Sequence, residues 1–122
     1  MNKHTPFYSL HQSLNAKILP FAGYLMPIQY KGVNFEHNHV RNCVGVFDVS
    51  HMSQITIKGP KSIPFLQNIT TNDVSKLIDG KVQYTCMLNN DGGIIDDLLL
   101  YRFTQDYFML VVNASNADKN IK

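Results

Sequence analysis

The sequence is poor in the features that mark membrane, secreted or nucleic-acid-binding chains. No apolar run approaches the ~20 residues that a helix needs to cross a bilayer. The opening MNKHTPFYSLHQ is polar and broken by Pro6, so no secretory leader is expected. Positive charge is not concentrated: 11 Lys and Arg are interspersed with 9 Asp and Glu, for a formal net charge of +2. Without a basic stripe to follow a phosphate backbone, nucleic acid is excluded as a partner. Only two cysteines occur. Cys43 and Cys86 are far apart and flanked by apolar residues, which reads as two reduced core thiols rather than a disulfide framework or a metal knuckle. No repeat, low-complexity tract or linker is visible. From these absences no membrane partner is expected, and a reducing, cytoplasmic setting is.

What remains is ordinary globular material. The 122 residues, 44% of them hydrophobic, suffice to bury a core, as one domain or as a piece of a larger protein. Thr5-Pro6 has the residue types of an N-cap and first helical position, which predicts a short helix over Phe7 to Asn15. KILPFAGYLMPIQYKG gives two extended runs around Gly23, and Pro20 and Pro27 argue against regular pairing between them. A weakly helical spacing runs from Asn34, a candidate cap, to Cys43. HMSQITIKG alternates as a half-buried strand, with Ser53, Ile55 and Ile57 on one side. Gly59-Pro60 opens a helix that carries Ile63 and Leu66 inward, and TTNDVSKLIDG reads as a loop with one helical turn. Three strands are predicted at Lys81 to Leu88, Ile94 to Phe103 and Tyr107 to Asn113, joined by NNDGG and TQD. The fold class is therefore α+β, a mostly antiparallel sheet with flanking short helices. VVNASNADKNIK reads as a strand with a free edge followed by the start of a helix, so the chain is expected to be part of something longer.

The adjacent carboxylates of GGIIDDLLLY stand where every neighbour asks for burial. On the middle strand Ile95, Asp97, Leu99, Tyr101 and Phe103 share one face, and Ile94, Asp96, Leu98, Leu100 and Arg102 the other. Both faces read as covered. Arg102 and the nearby turn account for Asp96, whereas Asp97 has no obvious partner. Turn lengths give a register. A four-residue NNDG loop pairs Leu88 with Gly93 and sets Tyr84 opposite Asp97. A three-residue TQD loop pairs Phe103 with Tyr107 and sets Asn113 opposite Asp97 from the other side. Tyr84, Asp97 and Asn113 then form one polar row, with Tyr101 further along the same face. Such a row fits a ligand with several hydrogen-bonding nitrogens, or a network that satisfies itself.

TPFYSLHQSLNAKILPFAGYLMPIQY, VRNCVGVFDVSHM, GPKSIPFLQNITTNDVSKL, QYTCMLNNDGGIIDDLLLYR and VVNASNADK, in this order, resemble the N-terminal part of the aminomethyltransferases, the T proteins of the glycine cleavage system. The resemblance covers essentially the whole chain. It implies the N-terminal part of a multi-domain folate-dependent transferase, in which an aminomethyl group on the lipoyl arm of the H protein passes to tetrahydrofolate and ammonia leaves. By the resemblance, Asp97 is the catalytic carboxylate, partly buried beside the reacting nitrogens, and Met52, Tyr84, Asp97, Tyr101 and Asn113 bind the folate. Tetrahydrofolate is the co-substrate and no metal is implied. Residues 1–50 then complete a first domain whose remainder is absent, and 51–122 form the folate-pocket region, truncated at its C-terminus; the fragment alone is expected to be inactive. The chain departs from the family pattern at Ser53 and Gln54, where Gly and Glu are usual, and at Tyr24, where Trp is common.

Competing motifs fail on geometry. His37 and His39 stand two apart, which points them in different directions on a helix. NNDGGIIDD lacks the acidic twelfth ligand of a calcium loop, since Leu100 stands there. His51 reads as a packed histidine rather than a base. Two other functional readings are a folate-binding, non-transferase member of the superfamily of the iron-sulfur assembly type and a truncated product without function.

Overall fold

A computed structural model describes residues 2–121. The chain divides into two compact units, Met1–His51 and Met52–Lys122.

In the first unit, strand β1 (Lys3–His4) leads into helix α1 (Tyr8–Ser13). Thr5-Pro6 opens the turn before the helix, with the Tyr8 N–H donating to the Thr5 carbonyl at 3.1 Å. The helix ends where Asn15 takes a left-handed conformation (φ 56°) and the Ala16 N–H returns to the His11 carbonyl at 3.0 Å. It is thus shorter at both ends than the predicted Phe7 to Asn15. The two proline-containing runs, expected not to pair regularly, form an antiparallel hairpin of β2 (Lys17–Phe21) and β3 (Tyr24–Gln29). Ala22 (φ 49°) and Gly23 (φ 82°) make a two-residue turn with both φ angles positive, which matches the twist of the flanking strands. Pro20 lies on the edge strand β2, and a register shift at Lys17/Ile18 takes up Pro27. β1 runs parallel to β3 at Tyr24 and Leu25 only, so Pro27 needs no partner on that side. Helix α2 (Val33–Asn42) is capped not by Asn34 but from within: the Glu36 carboxylate accepts the backbone N–H groups of Tyr30, Lys31 and Gly32 at 2.7, 2.8 and 3.0 Å. The N–H of Tyr30, joined by those of Gly32 and Lys31, holds the Glu36 carboxyl below its ordinary pKa against the opposing effect of desolvation.

The second unit is a sheet of order β4-β7-β6-β5, antiparallel throughout among the described residues. Its strands are β4 (Ser53–Lys58), β5 (Val82–Leu88), β6 (Ile94–Thr104) and β7 (Tyr107–Val112). Helix α3 (Ser62–Ile69) and the 3-10 turn Val74–Lys76 lie between β4 and β5 in the chain. Leu66, Val74 and Leu77 from this stretch pack with Met87, Leu98, Leu100, Phe108, Leu110 and Val112 of the sheet into one buried cluster. The alternating pattern of β4 is seen as read, with Ile55 and Ile57 packed against that cluster. A short helix α4 (Ala117–Asn120) follows β7. β7, expected to carry a free edge, is interior, because β4 pairs along it from Ser53↔Val112 to Lys58↔Tyr107. Nor is the middle strand covered on both sides: Asp97, Leu99 and Phe103 are exposed on the face opposite the cluster. Among the described residues no helix is long and apolar enough to cross a membrane.

Candidate functional site

The site lies at one end of the open sheet face. β6 carries Asp97 there because residue parity places Leu98 and Leu100 in the core and their neighbours outside. Between β6 and β7 the derived register holds through the strands, from Leu98↔Val112 to Arg102↔Phe108, so Asn113 follows on beside Asp97. It fails at the turn, where Thr104 rather than Phe103 faces Tyr107 and a bulge absorbs the extra residue. Between β5 and β6 the strands are offset by two residues from the derived register. Cys86 stands opposite Asp97, and Tyr84 opposite Leu99. A shift of two preserves the face, and the long phenol spans the diagonal. Tyr84 Oη donates to Asp97 Oδ2 at 2.7 Å, and Asn113 Nδ2 donates to Asp97 Oδ1 at 3.0 Å.

The other expected members fall on the same face. Met52 is half-buried and immediately precedes the Ser53↔Val112 pair, which sets it next to Asn113. Tyr101 is half-buried four residues from Asp97 on β6, between Val82 and Met109, roughly 13 Å along the strand. The face thus has a polar end at Tyr84, Asp97 and Asn113, an apolar strip through Leu99, and a second phenol at Tyr101. Asp97 itself is exposed in this structure, against the expected partial burial. Tyr84, also exposed, has its pKa raised, first by donating its proton to the Asp97 carboxylate and then by that carboxylate's charge.

The buried carboxylate of the pair is Asp96, 3% exposed. Its partner is not Arg102, which binds Asp79 Oδ1 at 2.6 Å and the Leu77 carbonyl at 2.6 Å. Asp96 is instead enclosed by asparagines. Oδ1 accepts from Asn113 Nδ2 (2.8 Å), Asn116 Nδ2 (2.9 Å) and the Asp97 N–H (3.1 Å). Oδ2 accepts from Asn120 Nδ2 (2.6 Å) and the Asn113 N–H (3.1 Å). Burial alone would raise the Asp96 pKa; hydrogen bonds from the Asn113, Asn116 and Asn120 side chains and from the Asn113 N–H outweigh it and hold the group ionised below its ordinary value. Asn113 thereby links the buried carboxylate to the exposed one. The sequence reading missed this clamp, although 113, 116 and 120 repeat at i, i+3 and i+7, the spacing of one helical face. It also missed Cys86 as the residue across from Asp97.

Neither cysteine is a core thiol: Cys43 is exposed and Cys86 half-buried, because the open sheet face is where β5 presents Cys86. Both are free. His51 packs edge-on against the rings of Phe21 and Tyr24, with centroids 5.9 and 6.3 Å away. Among the described residues no group of three or more His, Cys, Asp or Glu side chains is arranged to hold a metal ion.

Residues 7–122 match the family model described as "GCVT N-terminal domain". Aminomethyltransferase of Flavobacterium psychrophilum is 55% identical over 118 residues, 97% of this chain and 33% of that protein. Aminomethyltransferase of Caldanaerobacter subterraneus subsp. tengcongensis is 52% identical over 120 residues, 98% of this chain and 32% of the other. The crystal structure of glycine cleavage system aminomethyltransferase T from Bartonella henselae superposes with a TM-score of 0.89 at 40% identity, covering 98% of this chain and 34% of that one. The chain therefore spans about a third of the length of these relatives. By sequence and by fold alike, the chain belongs to the family of the aminomethyltransferase (GCVT) N-terminal domain.

Proposed function

We propose that this chain supplies the folate-facing third of a tetrahydrofolate-dependent aminomethyltransferase that accepts its group from the lipoylated H protein of glycine cleavage. In the whole protein the aminomethyl carbon leaves the dihydrolipoyl sulfur and becomes bonded to two folate nitrogens. The products are methylenetetrahydrofolate, ammonia and the free thiol. The observation that carries the reading is the convergence of Tyr84 and Asn113 on the two oxygens of Asp97, at one end of an open face that continues to Tyr101. A fixed carboxylate there accepts a proton from a folate nitrogen, or stabilises the cationic carbon as its bond to sulfur breaks. Met52 forms an apolar wall, and Tyr101 lies far enough along the strand to meet an extended ligand. Covering Asp97 by the rest of the protein and by folate strengthens each of these interactions. The segments 1–50 and 51–122 are, on this reading, parts of domains completed elsewhere in a longer polypeptide. The free thiols support the cytoplasm as the setting.

The test is a chimera in which this chain replaces the matching 118 residues of the Flavobacterium psychrophilum aminomethyltransferase. It should form methylenetetrahydrofolate from aminomethyl-loaded H protein, and the 122-residue chain alone should not. A chimera that binds tetrahydrofolate but transfers nothing would favour a folate-binding, non-transferase role.

A further inference from the structure

The TTND segment between α3 and the 3-10 turn has no place in the site described above, yet it makes a dense set of hydrogen bonds to β5. Among the described residues β5 is an edge strand whose one neighbouring strand is β6. In an antiparallel pair alternate residues direct their N–H and C=O away from the neighbour, and at an edge those groups are free to bond elsewhere. Cys86 is such a residue. Its carbonyl accepts the Thr71 N–H at 3.0 Å and its N–H donates to Thr71 Oγ1 at 3.2 Å. Two residues back, the Tyr84 carbonyl accepts from Asn72 Nδ2 at 2.9 Å. Between them Thr85, 2% exposed, meets Thr71 Oγ1 and the Asn72 N–H through its hydroxyl, each at 3.2 Å. Thr70 adds a bridge to Met87. Four consecutive residues of β5 are thus held from the outside by three residues of one loop.

The consequence for Tyr84 is geometric. Its phenol does not stand across from Asp97 but reaches it over a two-residue diagonal, ending at 2.7 Å. A diagonal contact tolerates little movement of the edge strand, because a small rotation of the Tyr84 backbone swings the distant hydroxyl through a much larger arc. We propose that Thr71 and Asn72 are positioning residues, which act through the backbone of Tyr84 and Cys86 to keep the Tyr84 hydroxyl on Asp97. The claim rests on Asp97 being the reacting carboxylate. Both side chains belong to exposed residues outside the core cluster, so replacing them is expected to leave the packing of that cluster in place.

Two measurements test it, and the first is independent of activity. In the 122-residue chain with carbon-13 at the tyrosine ζ position, Tyr84 titrates above an ordinary phenol because it donates to Asp97. Thr71→Val and Asn72→Ala should each lower its midpoint toward that of Asp97→Asn, and Thr71→Ser, which keeps the hydroxyl, should restore it. An unchanged Tyr84 titration in both variants overturns the proposal. The second is a kinetic cycle in the chimera. Thr71→Val should lower kcat/KM for tetrahydrofolate about tenfold when Tyr84 is present and less than twofold in a Tyr84→Phe background, where there is no hydroxyl left to position. Losses that multiply would mean that Thr71 acts on the fold in general, and would refute the positioning role. Failure of the assignment of Asp97 would look different: Asp97→Asn would keep full activity while the titration result stood.

Discussion

Adjacent in sequence and opposite in environment, Asp96 and Asp97 should respond to the same Asp→Asn change in opposite ways. At Asp96 one carboxylate oxygen becomes an NH2 group. The amide oxygen keeps most by taking the Oδ1 place, where it still accepts from Asn113 Nδ2, Asn116 Nδ2 and the Asp97 N–H. The NH2 group then faces Asn120, whose amide can turn over, and the Asn113 N–H, which cannot. One donor loses its partner inside a buried site, at about 1–3 kcal/mol. The three retained bonds lose the charge that roughly doubled their strength. Together the loss is about 2–4 kcal/mol. Because Asn113 still donates toward Asp97, transfer by the chimera should stay within a few-fold. At Asp97 the same change meets an exposed group. Stability should move by less than about 1 kcal/mol, while single-turnover transfer at saturating folate falls about ten- to a thousandfold. Urea unfolding of the chain followed by circular dichroism gives the first quantity, and rapid quench of the chimera the second. A slow Asp96→Asn enzyme, or an Asp97→Asn chain that loses more stability than Asp96→Asn, would refute the division of labour. The pH dependence gives a further check. A carboxyl whose folded pKa is depressed contributes stability that is fully present above the unfolded pKa and is lost as pH falls through the folded one. Asp96→Asn should therefore flatten the acid limb of the stability profile.

In the first unit His11 Nε2 meets Asp48 Oδ2 at 2.7 Å, both side chains are nearly fully buried, and the Tyr30 hydroxyl bonds His11 Nδ1 at 2.8 Å. His11→Leu takes from the buried Asp48 carboxylate its ring partner and leaves it the Ser50 N–H at 2.9 Å, and should destabilise the chain by about 2–4 kcal/mol at neutral pH, with the loss shrinking as acid protonates Asp48; equal destabilisation at every pH would contradict this. Leu100, fully buried in the sheet cluster, should cost about 2–5 kcal/mol on Leu100→Ala, measured by urea unfolding, whereas Leu99→Ala on the open face should cost under about 1 kcal/mol.

What rests on local chemistry and on residue parity was legible in the order of residues. Alternation placed β4, β5, β6 and β7 within one or two residues, and it assigned Asp97 and Asp96 to opposite faces, because side chains of a strand alternate whatever it packs against. Family motifs, each a continuous run, were likewise legible without coordinates. Features that depend on two distant segments emerge only when the chain is folded. Turn lengths left the β5–β6 register two residues out, since the turn pairs Leu88 with Ile94 rather than Gly93 and the bulge at Met87/Leu88 adds a second residue, neither of which leaves a mark in the sequence. Pro20 and Pro27 argued against a regular hairpin of β2 and β3, because a list of residues does not say which edge of a strand faces a neighbour. The environments of the two carboxylates were exchanged for the same reason. Arg102 was the nearest cation along the strand, but the helical turn after Asn113 brought three neutral amides to Asp96, and α3 with its following turn covered only one side of the sheet. Parity is a property of the backbone. Burial belongs to whatever the folded chain lays across it.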